Sequence, residues 1–279
     1  MILVTGVNGQ LGYDVVKILK EKNIECVGIG REELDITDSE AVHEYIVGLR
    51  PDCVIHCAAY TAVDKAEDEV DVCRKVNVYG TESIAKACKE IDAKMIYIST
   101  DYVFDGTGDQ TFEVDGNINP HSVYGQSKYE GELKVKEYLN KYFIVRISWV
   151  FGVNGNNFVK TMIRLGKEKE CLNVVYDQIG SPTYTADLAV VLADMALSNK
   201  YGIYHVTNEG FCSWAEFASE IMKEAGLKCR INPIPTSEYP SKAERPLNSR
   251  MSKRALVENG FLLMPDWKNA LKRYISEIQ

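Results

Sequence analysis

A tyrosine and a lysine four residues apart, Tyr124 and Lys128, form the pair of side chains best suited to proton transfer in this sequence. Both fall in a predicted helix capped by Ser122, so they share one helix face. A free tyrosine has a pKa of about 10. A nearby ammonium group and a helix N-terminus both stabilise the phenolate and lower that pKa. The phenol would then donate a proton to a developing alkoxide, and Thr100, at the end of a predicted strand, can hydrogen-bond the same oxygen.

A Tyr–Lys pair at this spacing also occurs on many solvent-exposed helices, so it indicates catalysis only alongside other elements. The first of these is the N-terminal segment. An apolar run, Ile2 to Val4, predicts a buried strand, and Gly6, Gly9 and Gly12 lead into a helical pattern. These glycines would allow a tight turn, close approach of a phosphate and close helix packing. The turn is predicted to bind a nucleotide pyrophosphate at the helix N-terminus, although a purely structural turn stays open.

Three further positions bear on the cofactor. Arg31 follows a predicted strand over 25–30, where a basic residue can accommodate the 2′-phosphate of NADP. This favours NADPH over NADH, but a solvated loop charge is the alternative. Ala58 and Ala59 end a predicted strand that begins at residue 52, and their small size permits a flat ligand or simply tight packing. Asn77 is unfavourable within a helix, which indicates a role for its side chain.

Composition excludes several classes of protein. Of the 279 residues, 46% are hydrophobic and 26% charged, as in ordinary globular proteins. No apolar run approaches the roughly 20 residues of a membrane span, and no secretion signal is evident at the N-terminus. The net charge of −8 argues against a nucleic-acid partner. The eight cysteines are scattered, without the paired spacing of a metal site, so we expect reduced thiols in a cytoplasmic enzyme.

Segments along nearly the whole chain resemble the extended short-chain dehydrogenase/reductases and, among them, the dTDP-4-dehydrorhamnose reductase family. The matching segments are TGVNGQLG (5–12), LDITD (34–38), AAYTAVDKAE (58–67), NVYGTE (77–82), STDYVFDG (99–106), VYGQSKYEGE (123–132), RISWVFG (146–152), GNNF (155–158), DQIGSPT (177–183) and RPLNS (245–249). The resemblance implies reduction of the C4 keto group of dTDP-4-dehydrorhamnose to dTDP-L-rhamnose by NADH or NADPH. It also implies a nucleotide-sugar substrate and a monomer or homodimer.

The resemblance and the strand–helix alternation imply an α/β fold: a Rossmann-type doubly wound parallel sheet with a smaller C-terminal α/β substrate domain. We predict the NAD(P)-binding domain over residues 1–150, with the chain returning to it around 172–208. Residues 151–171 and 209–279 would mainly form the substrate-binding domain. The segment 232–246, rich in proline and polar residues, is predicted to be a loop over a ligand or a domain joint.

The resemblance also assigns roles to individual residues. Thr100, Tyr124 and Lys128 would be catalytic, with Tyr124 protonating the sugar C4 oxygen and Lys128 holding the nicotinamide ribose. The cofactor would be lined by Gly6, Asn8, Gly9, Gln10, Leu11, Gly12, Arg31, Asp35, Ile36, Ala58, Ala59, Tyr60, Thr61, Asn77, Tyr124 and Lys128. The nucleotide sugar would be faced by Asp101, Tyr102, Trp149, Asn157 and Arg245, with Arg245 on the diphosphate. A core position for Trp149 and an exposed loop charge for Arg245 are the alternatives.

Magnesium is not expected here. Family members that dimerise around magnesium use carboxylates from three places. Asp14 matches the first, but Ala186 stands where the second belongs, with Asp187 one residue away. We therefore predict no metal ligands in this chain.

Related functions within and outside this superfamily make different demands on these residues. A dehydratase needs a carboxylate pair directly after the catalytic threonine, and Tyr102 after Asp101 cannot complete it. A nucleotide-sugar epimerase stays open, as does a non-catalytic regulatory subunit resembling that of methionine adenosyltransferase. The intact set of Thr100, Tyr124 and Lys128 favours catalysis.

Overall fold

A six-stranded parallel sheet forms the centre of the computed structural model, which describes all 279 residues. The strands are β1 (Ile2–Thr5), β2 (Cys26–Ile29), β3 (Cys53–His56), β4 (Lys94–Thr100), β5 (Tyr142–Ile147), β6 (Val150–Phe151), β7 (Cys171–Val175), β8 (Ile179–Gly180), β9 (Thr183–Tyr184), β10 (Gly202–His205), β11 (Cys212–Ser213) and β12 (Arg230–Ile234). The helices are α1 (Gln10–Glu21), α2 (Ser39–Leu49), α3 (Val63–Ala66), α4 (Val70–Arg74), α5 (Thr81–Glu90), α6 (Val123–Tyr138), α7 (Phe158–Glu168), α8 (Thr185–Leu197), α9 (Trp214–Glu224), α10 (Arg254–Glu258) and α11 (Trp267–Ile278). A π-helical segment, Lys75–Gly80, joins α4 to α5, and 3₁₀ turns lie at Asp101–Val103 and Thr236–Glu238.

Helices cover both faces of this sheet, which explains why its inner strands are almost wholly apolar. Successive side chains of a strand point to opposite faces. Ile2 and Val4 accordingly pack into a core with α1 and α8, whereas Leu3 packs into a second core with α2 and α5. The short apolar run at the N-terminus is therefore the buried strand that its composition predicts.

The strand order places a ligand crevice at the first glycine turn. In the order β2-β1-β3-β4-β5-β10, β1 lies between β2 and β3, so the chain winds outward in both directions from β1. Open parallel sheets of this Rossmann type bind ligands at the carboxyl ends of the strands beside such a reversal. The segments that follow β1, β3, β4 and β5 meet at that edge.

The helix that carries the Tyr–Lys pair begins where the sequence predicts. Ser122 caps α6, and its hydroxyl oxygen accepts a hydrogen bond of 3.1 Å from the backbone N–H of Gly125. The cap satisfies one of the free N–H groups at the helix start. It also fixes the first turn of α6 beside the ends of β4 and β5.

A third hydrophobic core lies in the C-terminal part of the chain, among α7, α9 and α11. The sequence places the return to the large sheet at about residue 172, but β7 pairs instead with β12 in a separate two-stranded sheet. Cys171 and Asn173 are exposed while Leu172 and Val174 are buried, an alternation that suits a half-solvated strand and not the middle of a parallel sheet. The chain rejoins the large sheet through α8 and β10.

Two smaller differences from the sequence predictions concern element ends. The capping motif over 37–40 begins at Asp38, whose carboxylate accepts hydrogen bonds from the backbone N–H groups of Glu40 and Ala41. The predicted loop over 232–246 starts inside β12 and becomes a loop from residue 235 onward. None of the helices combines the length and the apolar character needed to cross a lipid bilayer.

Candidate active site

A cavity of about 730 Å³ opens at the carboxyl ends of the parallel strands. Most residues that the sequence analysis selects line it. These are Gly6, Asn8, Gly9, Gln10, Leu11, Gly12, Arg31, Asp35, Ile36, Ala58, Ala59, Tyr60, Thr61, Thr100, Asp101, Tyr102, Tyr124, Lys128 and Trp149. Asn77, Asn157 and Arg245 lie outside this lining.

The glycine turn leaves backbone donors facing the cavity. Gly6 has a φ of +73°, and a Cβ there would lie 2.6 Å from the backbone nitrogen of Ala58. A Cβ on Gly12 would overlap the carbonyl oxygen of Gly6. Gly9 begins α1 without any side-chain cap, so the first N–H groups of the helix are free to bind an anion. This arrangement fits a dinucleotide pyrophosphate.

Gly12→Ala is expected to lower both dinucleotide affinity and thermal stability. The added methyl group forces α1 away from the turn, and overpacking of this kind costs about 1–3 kcal/mol. The variant is compared with Gly48→Ala on α2, where a Cβ meets nothing within 4 Å and helix propensity alone favours alanine. Measured by nucleotide titration and thermal unfolding, equal behaviour of the two variants would contradict the role of Gly12.

The three predicted catalytic side chains line the same cavity at the end of β4 and the start of α6. Thr100 and Lys128 are almost completely buried. Burial raises the pKa of Tyr124 above its ordinary value, and the nearby Thr100 hydroxyl opposes this by a smaller amount. The sequence argument predicts a lowered pKa for this phenol and is wrong for the structure, because the loss of solvation outweighs the neighbouring groups. Tyr124 therefore stays protonated at neutral pH, as a proton donor must.

Lys128 lies against an aromatic ring in a buried part of the site. Its Nζ is 4.1 Å from the ring centroid of Tyr97, and its backbone carbonyl accepts a hydrogen bond of 3.1 Å from the Tyr97 hydroxyl. Burial lowers the pKa of Lys128 to about 7, against an opposing effect of Glu132. Lys128 can thus gain or lose a proton near neutral pH, which suits a group beside a proton donor.

Asn77 serves the site without lining it. Its Oδ1 accepts a hydrogen bond of 2.8 Å from the backbone N–H of Tyr60, and its Nδ2 donates to the Tyr60 carbonyl and, at 3.0 Å, to the hydroxyl of Ser127. Ser127 donates in turn to the carbonyl oxygen of Tyr124. Asn77 therefore joins the segment after β3 to α6, which explains a polar residue inside a helical segment.

The side chain of Asn157 is also bonded to other protein groups and does not line the cavity. It caps α7, and its Nδ2 donates to Gln10 Oε1, to the carbonyl of Gly152 and to the hydroxyl of Tyr274. Its neighbours Gly155 and Asn156 line the cavity instead. The loop before α7 thus packs on the glycine turn, and Asn157 holds it there.

The predicted substrate side is built from residues of both parts of the chain. Trp149 lines the cavity with a backbone φ of +49°, and its indole stacks on Trp214 at a centroid distance of 3.7 Å. Positive φ is rare for a bulky residue and is typical of functional sites. Arg245 lies beside the cavity, where its Nη1 donates to the Tyr102 hydroxyl at 3.0 Å and its Nη2 pairs with Asp64 Oδ2 at 2.5 Å.

Several lining residues were not singled out from the sequence. They include Thr5, Leu34, Cys57, Val63, Val76, Ile98, Ile147 and Ser148. Four of these, Thr5, Cys57, Ile147 and Ser148, lie at or directly after a strand end, a position that identifies them once the sheet order is known. Asn154 gave no signal, yet its Nδ2 donates to the carbonyl of Asn8 at 2.9 Å and so holds the glycine turn from the other side.

The carboxylates considered for a metal are engaged by protein groups. Asp14 is buried and accepts a hydrogen bond from the Thr185 hydroxyl. Asp187 accepts from Asn208 and pairs with Arg273 at 2.6 Å. No group of three or more histidine, cysteine or acidic side chains is arranged to hold a metal ion.

Activity is expected to survive removal of divalent cations. An arginine already neutralises Asp187, and Ala186 supplies no ligand, so chelation should remove nothing that the site needs. The measurement is the rate of NADPH oxidation before and after EDTA treatment. A large loss that added magnesium restores would contradict this prediction.

Comparison with known proteins places these features in a family. Residues 1–279 match the family model described as the RmlD substrate binding domain. The chain is 41% identical to the spore coat polysaccharide biosynthesis protein SpsK of Bacillus subtilis, covering 99% of this chain and 97% of SpsK. It is also 41% identical to the dTDP-4-dehydrorhamnose reductase of Aggregatibacter actinomycetemcomitans, with 97% of each chain covered. A crystal structure of dTDP-4-dehydrorhamnose reductase from Bacillus anthracis in complex with NADP superposes with a TM-score of 0.96 at 46% identity, covering 99% of this chain and 98% of that one.

Proposed function

The chain belongs to the dTDP-4-dehydrorhamnose reductase family, and we propose that Thr100, Tyr124 and Lys128 carry out the family's reaction here. That reaction is the reduction of the C4 keto group of dTDP-4-dehydrorhamnose to dTDP-L-rhamnose, with a nicotinamide cofactor. The observation that carries the assignment is the meeting of these three side chains with the glycine turn around one cavity.

A reduced nicotinamide cofactor, when bound, supplies the hydride that C4 receives. Tyr124 supplies the proton. Burial raises the pKa of this phenol, so it stays protonated until the reaction. As negative charge develops on the C4 oxygen, the phenolic O–H donates to it and becomes the phenolate. The protonated form of Lys128 stabilises that phenolate. Because its pKa is about 7, Lys128 can gain or lose a proton between turnovers at neutral pH.

The end of the cavity beside the glycine turn would bind the dinucleotide. The free N–H groups at the start of α1 would hold the pyrophosphate, since a helix N-terminus favours an anion. Arg31 lies after β2 with 87% of its side chain exposed, and its Nη2 is 3.5 Å from Asp35 Oδ2. An exposed guanidinium at this position can pair with a 2′-phosphate, which supports NADPH as the preferred cofactor.

The substrate end is supplied by Tyr102, Trp149 and Arg245. Arg245 would bind the diphosphate, because a guanidinium can meet a phosphate with two parallel hydrogen bonds. In the structure its partner anion is Asp64. The diphosphate would take the place of that carboxylate. Trp149, held by Trp214, would form a rigid wall for the sugar.

The proposal is tested by following NADPH and NADH oxidation with a panel of 4-keto nucleotide sugars. Stoichiometric oxidation with dTDP-4-dehydrorhamnose, and with few other substrates, is the expected result. An epimerase would convert its sugar without net oxidation of NADPH. A regulatory subunit would show no turnover with any member of the panel. Either result would reject the proposal.

A further inference from the structure

Both carboxylate oxygens of Asp101 accept hydrogen bonds from hydroxyl groups of the protein. Asp101 follows Thr100 directly and is only 4% exposed. Its Oδ1 accepts a hydrogen bond of 2.9 Å from the Thr100 hydroxyl, and its Oδ2 accepts one of 2.5 Å from the Ser249 hydroxyl. No lysine, arginine or histidine pairs with it. Burying a carboxylate that has no cationic partner costs free energy, which indicates that this side chain has a purpose in the site.

The hydrogen bonds of Thr100 show what that purpose is. A hydroxyl has one proton to donate and two lone pairs. The proton of Thr100 is directed to Asp101, and one lone pair accepts the backbone N–H of Tyr102 at 3.2 Å. One lone pair remains, on the side of the cavity that Tyr124 also lines. The Thr100 oxygen is thereby held as a hydrogen-bond acceptor that faces Tyr124, so its proton is not directed to the sugar oxygen as the sequence argument expects.

Ser249 links this hydrogen-bond arrangement to the C-terminal part of the chain. Its backbone N–H donates to the Ile179 carbonyl at 2.7 Å, so the segment that also carries Arg245 is fixed next to β8. A Cβ on Gly180 would lie 3.0 Å from Ser249 Cβ and 2.9 Å from Trp149 Cε2. The bare backbone of Gly180 therefore lets Ser249 reach Asp101.

We propose that Asp101 is a positioning residue for catalysis, which with Ser249 fixes the direction of the Thr100 hydroxyl. This rests on the proposed function. Asp101 acts on catalysis through Thr100, since one of its carboxylate oxygens accepts the Thr100 hydroxyl and the other accepts the Ser249 hydroxyl. Burial raises the pKa of Asp101 to about 6, and the hydroxyl donors oppose that rise. The carboxylate is thus ionised at pH 7 and above, as an acceptor of two O–H groups should be.

A double-mutant cycle separates positioning from a merely structural role. Asp101→Asn and Ser249→Ala are each made in the native chain and together with Thr100→Val. Each single variant is expected to lower kcat on the order of tenfold, the effect of one hydrogen bond to a charged group, with little change in KM for dTDP-4-dehydrorhamnose. In the Thr100→Val background, Asp101→Asn and Ser249→Ala should each lower kcat by less than about twofold, because no hydroxyl remains to be oriented. Ser219→Ala, which removes a hydroxyl bonded only to its own helix at Ala215, is the matched control.

Fully additive losses, or a raised KM with kcat unchanged, would overturn the proposal. Crystal structures of the two variants give a readout that needs no turnover. The Thr100 hydroxyl should leave its position near the Tyr102 N–H in at least part of the molecules. A single unchanged Thr100 rotamer in both variants would also overturn the proposal. Absence of turnover in the native chain would reject the proposed function instead, so the two failures are distinguishable.

Discussion

Replacing Tyr124 by phenylalanine is expected to lower kcat by about 10²- to 10⁴-fold, the usual contribution of a general acid. The change removes one oxygen from a partly buried side chain whose ring contacts the edge of Tyr102 at a centroid distance of 5.5 Å. Ring packing therefore remains, while the proposed proton donor to the C4 oxygen is lost. The measurement is steady-state NADPH oxidation, together with NADPH binding by fluorescence titration, which should be nearly unchanged.

Tyr45→Phe provides the control for this change. Tyr45 lies on α2, partly buried against the second core, and its hydroxyl has no hydrogen-bond partner within the chain. Its replacement should leave kcat within a factor of about two. If Tyr124→Phe also kept kcat within a fewfold of the native chain, another group would have to protonate the sugar, and the assignment would fail.

Arg245→Ala is expected to raise KM for the nucleotide sugar on the order of 100-fold, because two charged hydrogen bonds to the diphosphate are lost. Arg245→Lys should raise it less, since an ammonium keeps the charge but not the paired geometry. The chain carries a net charge of −8, so long-range attraction cannot replace this local contact. Affinity for NADPH should stay near that of the native chain.

Lys242 offers a cation in the same loop for comparison. It pairs with Asp68 and lies mostly in solvent, so Lys242→Ala should change KM little. Arg245→Ala and Lys242→Ala each remove one positive charge from the same loop, but only Arg245 also contacts Tyr102 at the cavity. Weakened NADPH binding with an unchanged KM for the sugar would move Arg245 to the cofactor side.

The sequence was sufficient wherever a local pattern determines a local structure. The glycine turn, the Ser122 cap and the spacing of Tyr124 and Lys128 depend on residues close in the chain, and the structure has each of them in the expected form. The parallel sheet followed from apolar runs alternating with helical patterns. The family resemblance supplied the roles of these residues, which local patterns cannot.

Properties that depend on residues distant in sequence were not predictable in the same way. The pKa of Tyr124 is governed by how completely the fold buries the phenol, and spacing along a helix does not report burial. The partner of β7 is β12, more than fifty residues later, and only the half-exposed alternation of β7 hinted at it. Asn157 and Asn77 were recognisable as special, but their partners Gln10, Tyr60 and Ser127 lie far along the chain.

The return of the chain to the large sheet through α8 and β10 has a consequence for biosynthesis on the ribosome. The apolar face of α1 and the outer edge of β5 are covered only by α8 and β10, after an excursion of roughly 60 residues beyond β5. At translation rates of about 5–20 residues per second, that excursion takes roughly 3–12 seconds. During this interval the nascent chain displays an incomplete sheet with an open edge and an uncovered core. Because of this order of elements along the chain, the six-stranded sheet stays incomplete until β10 has been synthesised.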